Sequence, residues 1–185
     1  DKSSFDLIAE YPIEQEIDLM VELKSNIIAC ASKKYNYIVI YEINEPSYDM
    51  KEVYLLLHEN KVDQIVNISE DRFISTTLDE VNIWEKESYT CLQTIPFNSK
   101  SGLELVVMND MKFITMVRNT NALYHYDYNT SSLDIINTNK TLNNIQHIDR
   151  LTEDSLLLSY QNHIEVFDIY NNEHLSRLVH RSPIN

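Results

Sequence analysis

Residues 68–85 read Ile68-Ser69-Glu70-Asp71-Arg72-Phe73-Ile74-Ser75-Thr76-Thr77-Leu78-Asp79-Glu80-Val81-Asn82-Ile83-Trp84-Glu85. An apolar position leads into a tight polar turn, and a short β-branched run follows. A second polar turn then gives way to a strand that ends in an aromatic residue followed by an acid. Short β-branched and aromatic runs bounded by polar clusters are the signal of strands.

The same passage recurs. Its ending appears as Ile40-Tyr41-Glu42, Ile83-Trp84-Glu85, His125-Tyr126-Asp127 and Val166-Phe167-Asp168, with the aromatics 43, 42 and 41 residues apart. Its opening recurs as Met108-Asn109-Asp110-Met111-Lys112-Phe113-Ile114 and Leu151-Thr152-Glu153-Asp154-Ser155-Leu156-Leu157. A copy one residue shorter is Leu23-Lys24-Ser25-Asn26-Ile27-Ile28. An apolar pair three apart stands before each turn: Met20 and Leu23, Ile65 and Ile68, Leu105 and Met108, Ile148 and Leu151.

Each repeat therefore holds four strands. Inner strands are expected at 16–23, 61–68, 102–108 and 143–151, and second strands at 26–31, 72–77, 112–117 and 155–160. Third strands are expected at 37–43, 81–85, 122–128 and 163–169, and outer strands at 52–57, 89–95, 132–137 and 173–179. Residues 12–23 also fit a helical spacing through Ile13, Ile17, Met20 and Val21, but the repeat register makes the stretch from Ile17 a strand. Tandem four-stranded units of about 40–45 residues are the signature of an all-β β-propeller, because one unit cannot bury both of its faces and stacking does so. The expected blades are 12–58, 59–98, 99–139 and 140–180. Residues 1–11, with Phe5, Leu7 and Ala9 alternating, read as the outer strand of a preceding blade.

These motifs resemble the WD-repeat family over roughly residues 12–180. Ile83-Trp84-Glu85 is similar to its Trp-Asp ending, and Cys91-Leu92-Gln93-Thr94-Ile95 to the outer strand after it. Asp79 matches its turn aspartate, and Asn162 is a weaker counterpart in the fourth blade. The family's Gly-His pair is missing from every blade. Its Asp-Gly turn is replaced by Ser25-Asn26, Glu70-Asp71, Asp110-Met111 and Glu153-Asp154. The repeat is thus degenerate, and a motif search keyed on those pairs would miss it. The resemblance implies a ring of about seven blades, which needs roughly 300 residues. The expectation is part of a larger propeller; a rare four-blade ring, or a ring completed by a second copy, is the alternative. The chain starts at Asp1 rather than Met, in keeping with a fragment or trimmed domain.

The chain has 185 residues and a single glycine, Gly102. That excludes Gly-rich phosphate loops, dinucleotide fingerprints and the Gly-x-Ser-x-Gly elbow. The tight turns must instead be made by Ser, Asn, Asp and Glu, which bond their own backbone. The formal charge of −14 disfavours nucleic acid and anionic membranes as partners. Lys33-Lys34 is the one adjacent basic pair. No apolar run approaches the ~20 residues of a bilayer span.

Cys30 and Cys91 lie in apolar strands and read as buried free thiols, which fits a reducing, cytoplasmic setting. Sequons at Asn67, Asn129 and Asn139 are expected by chance in so Asn-rich a chain. Neither the six His nor the two Cys have zinc-ligand spacing. The acid pairs recur at one turn of successive repeats and read as solvated. No cofactor or metal is expected, and no catalytic constellation is found.

Tyr41, Trp84, Tyr126 and Phe167 fill one repeat position and are expected to pack between sheets. Tyr11, Tyr35 and Phe97 fall in connections expected on one rim, and Arg118 in the third blade's turn is the basic counterpart. Aromatics and arginines there are candidate partner contacts, or loop aromatics tucked back against a blade. The resemblance implies a non-catalytic protein–protein interaction scaffold, with an acid excess suited to a basic partner surface. The alternatives are a recognition domain of a multidomain enzyme, such as a ubiquitin ligase or kinase, and a propeller hydrolase or lyase.

Overall fold

In the computed structural model, residues 16–97, 99–118, 122–136 and 145–179 are described. The strand expected at residues 5–10 and the rim candidate Tyr11 lie outside them. Among the described residues, sixteen strands form four antiparallel sheets, each following chain order. The first sheet holds β1 (Leu19–Lys24), β2 (Ile27–Ala31), β3 (Tyr37–Asn44) and β4 (Asp49–Leu57). The second holds β5 (Gln64–Asn67), β6 (Arg72–Thr76), β7 (Glu80–Glu85) and β8 (Cys91–Pro96). The third holds β9 (Leu103–Asn109), β10 (Lys112–Val117), β11 (Ala122–Asp127) and β12 (Ser132–Ile136). The fourth holds β13 (His147–Arg150), β14 (Ser155–Ser159), β15 (His163–Asp168) and β16 (Glu173–Val179). Of residues 12–23, which also fit a helical spacing, the described part from Leu19 onward lies in β1.

The repeat read from sequence is a repeat of hydrogen bonds. The residue two beyond each aromatic donates its N–H to the carbonyl of the turn between the first two strands. The four bonds are Ile43 to Asn26, Lys86 to Asp71, Tyr128 to Met111 and Ile169 to Asp154, at 2.8–3.0 Å. Register repeats as well: Tyr41 faces Ile28, Trp84 faces Phe73, Tyr126 faces Phe113 and Phe167 faces Leu156. The acids after two of the aromatics start the next turn. Asp127 accepts the N–H of Asn129, and Asp168 accepts those of Tyr170 and Asn171, each at 2.9 Å.

Left-handed backbone falls elsewhere than the sequence suggests. Of the turns between first and second strands, only that of the first sheet carries a positive φ, at Asn26. The left-handed residues Tyr48, Tyr89, Ser131 and Asn172 each lie in a turn between third and outer strands. Gly102 has φ +87° ahead of β9, where an added Cβ would come within 3.1 Å of the Asp63 carboxylate. Cys30 is buried, which pushes its thiol up to about 11, whereas Cys91 is exposed. The expectation for Cys91 fails because it opens an outer strand, beyond the covered part of the sheet.

The chain divides into two compact units, one ending at Val62 and one beginning at Asp63. In the first, Ala29, Ile38, Ile40 and Leu56 are buried. Its His58 is held from both sides: its N–H donates to the Asn36 carbonyl and the Asn36 amide donates back to the His58 carbonyl. Burial drives the His58 pKa down to about 4.

In the second unit, two apolar layers join three sheets. Ile74, Val81, Ile83 and Ile95 of the second sheet meet Leu105, Phe113 and Tyr126 of the third. From its other face the third sheet places Ile114, Met116, Leu123 and Ile136 against Ile148, Leu156, Leu158 and Phe167 of the fourth. Stacked rings stiffen two sheets, Phe113 on Tyr126 at 4.8 Å and Phe73 on Trp84 at 6.2 Å. The Trp84 indole N–H donates to the buried Ser75 hydroxyl at 2.8 Å.

Polar braces cross the same layers. Gln64 Oε1 accepts the N–H of Leu105 at 2.9 Å, and Glu104 Oε1 accepts that of Ile148 at 3.0 Å. Gln64 and Glu104 hold one repeat position, each just ahead of the first residue of the apolar pair. They satisfy inner-strand N–H groups that would otherwise be buried without a partner.

Two predictions follow from this packing. Replacing Glu104 with Ala should lower stability by about 1–3 kcal/mol in urea unfolding, whereas Glu104→Gln keeps the acceptor and most of the stability. A neutral, buried His58 favours the fold above the unfolded-state value near 6.5 and costs stability as pH falls toward 4. The loss should reach about 3 kcal/mol at pH 4 and be absent from a His58→Gln variant measured over the same range.

Candidate interaction surface

Tyr35 stands on a loop that Asp18 fixes. The Asp18 carboxylate accepts the Ser32 hydroxyl at 3.0 Å and the Lys33 N–H at 2.7 Å, and these donors hold its pKa below the ordinary value. The Tyr35 N–H closes the turn on the Ser32 carbonyl at 3.2 Å. The neighbouring Lys34 forms an ion pair with Glu16. Tyr35 is 43% exposed and its ring stacks on Tyr37 at 5.4 Å. It is a displayed aromatic with a restrained backbone, which suits a contact residue.

Arg118 closes the far end of β10, where its N–H donates to the Gly102 carbonyl at 3.1 Å. Its guanidinium Nε lies 3.9 Å from Glu104 Oε2 and stays partly exposed. His147 approaches the other oxygen of Glu104, Nδ1 at 3.5 Å. Arg118, Glu104 and His147 thus form one polar group at the inner strands of the third and fourth sheets.

Phe97 does not belong to a displayed surface. It is 8% exposed, lies in the layer between the second and third sheets, and meets the Tyr124 ring edge-on at 5.3 Å. Its N–H is tied to the Asp79 carbonyl at 2.6 Å, which turns the end of β8 inward. The alternative sequence reading, a loop aromatic tucked back against a blade, describes its position. Tyr35 belongs to the first unit, and Phe97 and Arg118 belong to the second.

Of the aromatics at the repeat position, Trp84, Tyr126 and Phe167 are buried and Tyr41 is half-buried. Tyr126 also reaches the neighbouring sheet, where its hydroxyl donates to Gln93 Oε1 at 2.5 Å. Gln64, Glu104 and Gln93 were not singled out as candidates. For Gln64 and Glu104 the signal is a polar residue inside an apolar inner strand, one step before Ile65 and Leu105; Gln93, on an outer strand, carries no such signal. Among the described residues, no group of three or more His, Cys, Asp or Glu is placed to hold a metal ion.

Compared as a sequence, the chain matches no protein-family model and no curated protein. Compared as a structure, it is similar to U3-55K, with a TM-score of 0.69 and 15% identity over 95% of this chain and 55% of that one. It is also similar to the WD40 repeats of RRP9, with a TM-score of 0.68 and 16% identity, again over 95% of this chain and 55% of that one. The chain therefore spans little more than half the length of the structures it matches. Four antiparallel four-stranded sheets in chain order, together with these likenesses, give this chain the fold of a WD40-repeat β-propeller.

Proposed function

We propose that the chain is part of a propeller that works as a protein-interaction module, with its ring completed by further sheets. One observation carries the reading. The third sheet buries Ile114, Leu123 and Ile136 against the fourth sheet. The positions matching these in the fourth sheet are Leu157, Ile164 and Leu178. Leu157 and Ile164 are only half-buried, and Leu178 is 64% exposed. The apolar pattern of a stacked face continues there, and a sheet face of this kind calls for a cover. His147 occupies the brace position of Gln64 and Glu104, and its side chain is largely exposed. That sheet is supplied either by residues outside this sequence or by a second copy.

The interaction role rests on the WD40-type fold, on displayed Tyr35 and Arg118, and on an acid excess that favours basic protein surfaces over nucleic acid or membranes. A pull-down from lysate, with partners identified by mass spectrometry, tests it. Tyr35→Ala and Arg118→Ala should each weaken capture of one defined partner, Tyr35→Ala with the thermal melt unchanged and Arg118→Ala with a small drop from losing the cation beside Glu104. Phe97→Ala should instead lower the melt, by about 3–5 kcal/mol of stability for a buried Phe. Full capture by the Tyr35→Ala/Arg118→Ala protein would remove these residues from the interface. Light scattering separates the two sources of the covering sheet, because a second copy doubles the mass.

A further inference from the structure

The gap between neighbouring sheets occurs twice in the larger unit, and the chain fills it differently each time. Between the second and third sheets, Gln93 of β8 accepts the Tyr126 hydroxyl at 2.5 Å. The Arg72 guanidinium lies 3.9 Å over the Tyr128 ring, and Phe97 meets Tyr124. Gln93 faces Ile83 in register, and the equivalent residue of the third sheet is Asp134, which faces His125. The partner at Tyr126's position is now Phe167, which has no hydroxyl to donate. Lys112 stands where Arg72 stood, 5.8 Å over the ring of Tyr170.

What remains between the third and fourth sheets is a cleft of about 210 Å³. Met108, Ile135, Ile136 and Ile169 give it apolar walls, and Asp134, Glu153 and Tyr170 line it as well. Among the described residues, neither Asp134 nor Glu153 has a salt bridge. The cation in the lining, Lys112, is already paired with Asp127 at 3.4 Å. Burial, and then the charge of Lys112, push the His125 pKa down, against the opposing pull of Asp127 and Asp134. The cleft therefore sets two carboxylates without salt bridges beside an apolar wall and the 65% exposed Tyr170.

We propose that this cleft receives an arginine side chain from a partner protein. The methylene stem lies along the Ile136 and Ile169 wall, and the guanidinium supplies Asp134 with the donor that Tyr126 gives Gln93 one sheet earlier. A carboxylate binds a planar guanidinium in paired hydrogen bonds, which a lysine ammonium cannot match. An anionic ligand would meet two free carboxylates and one neutralised lysine. This inference rests on the reading of the chain as an interaction module.

The test is an NMR titration of the whole chain with acetyl-arginine N-methylamide, with acetyl-citrulline N-methylamide as the neutral isostere. Shifts should appear at Met108, Ile135, Ile136 and Tyr170 with arginine and not with citrulline. Asp134→Asn should weaken binding roughly tenfold or more, the usual cost of losing a charge-assisted hydrogen bond. The double variant D134Q/F167Y rebuilds the neighbouring gap's hydrogen bond and should abolish binding; Asp134→Asn, on an outer strand, keeps the test decisive if the double variant does not fold. Shifts absent or located elsewhere, equal response to citrulline, or an affinity unchanged in Asp134→Asn overturn the proposal. Partner capture that depends on Tyr35 and Arg118 while the arginine probe fails to bind removes the cleft and leaves the interaction reading standing.

Discussion

A four-stranded antiparallel sheet of about forty residues has two faces, and here both are apolar. The third sheet makes the constraint plain. It turns Phe113, Tyr126 and Leu105 to one neighbour and Ile114, Met116 and Leu123 to the other. Neither set can be left in water without losing the burial that holds the sheet together, since each such side chain contributes about 1.5–3 kcal/mol when fully buried. Stacking sheets face to face is the solution, and the other features of the larger unit serve it. The inner-strand braces from Gln64 and Glu104 set the register between sheets. They meet backbone N–H groups where no ladder partner exists.

The repeat is strict in its hydrogen bonds and loose in its side chains, and this freedom is where function can enter. One turn bond is made four times at nearly the same length, by Ile43, Lys86, Tyr128 and Ile169. The side chains at matching positions differ freely: Gln64, Glu104 and His147 at the brace, Tyr126 and Phe167 at the aromatic, Gln93 and Asp134 on the outer strand. Because a backbone bond needs only N–H and C=O, it survives almost any substitution. A contact between sheets needs a matched pair, so changing one partner opens space. The loss of one hydroxyl at Phe167, with a carboxylate at Asp134, leaves a lined cleft where the neighbouring gap is spanned.

The strands were legible because period-two alternation and β-branched content are local properties. All sixteen appear, most within one to three residues of their expected ends. The residues that make contacts between sheets were harder to read. Phe97 reads as a loop aromatic, but the Asp79 carbonyl draws its N–H inward and Tyr124, twenty-seven residues later, covers its ring. Cys91 reads as buried from its apolar neighbours, yet an outer strand has no further strand beside it. The left-handed positions were misplaced for a similar reason. Turn length and closing bonds set φ, so Tyr48 and Tyr89 take positive values that their residue type alone would not suggest.

By itself the sequence determined the number of sheets, their strand order and the aromatic ladder, because a forty-residue period in local pattern encodes them directly. It also determined that one glycine suffices, since most of the turns are closed by backbone carbonyls and by Asx carboxylates such as Asp127 and Asp168. Only the tertiary structure decided which polar residues join sheets, which aromatics face solvent and where a cleft stays open. Those outcomes depend on pairs of residues twenty-seven to fifty-eight positions apart meeting across a gap. Neither residue of such a pair carries a sign of the other.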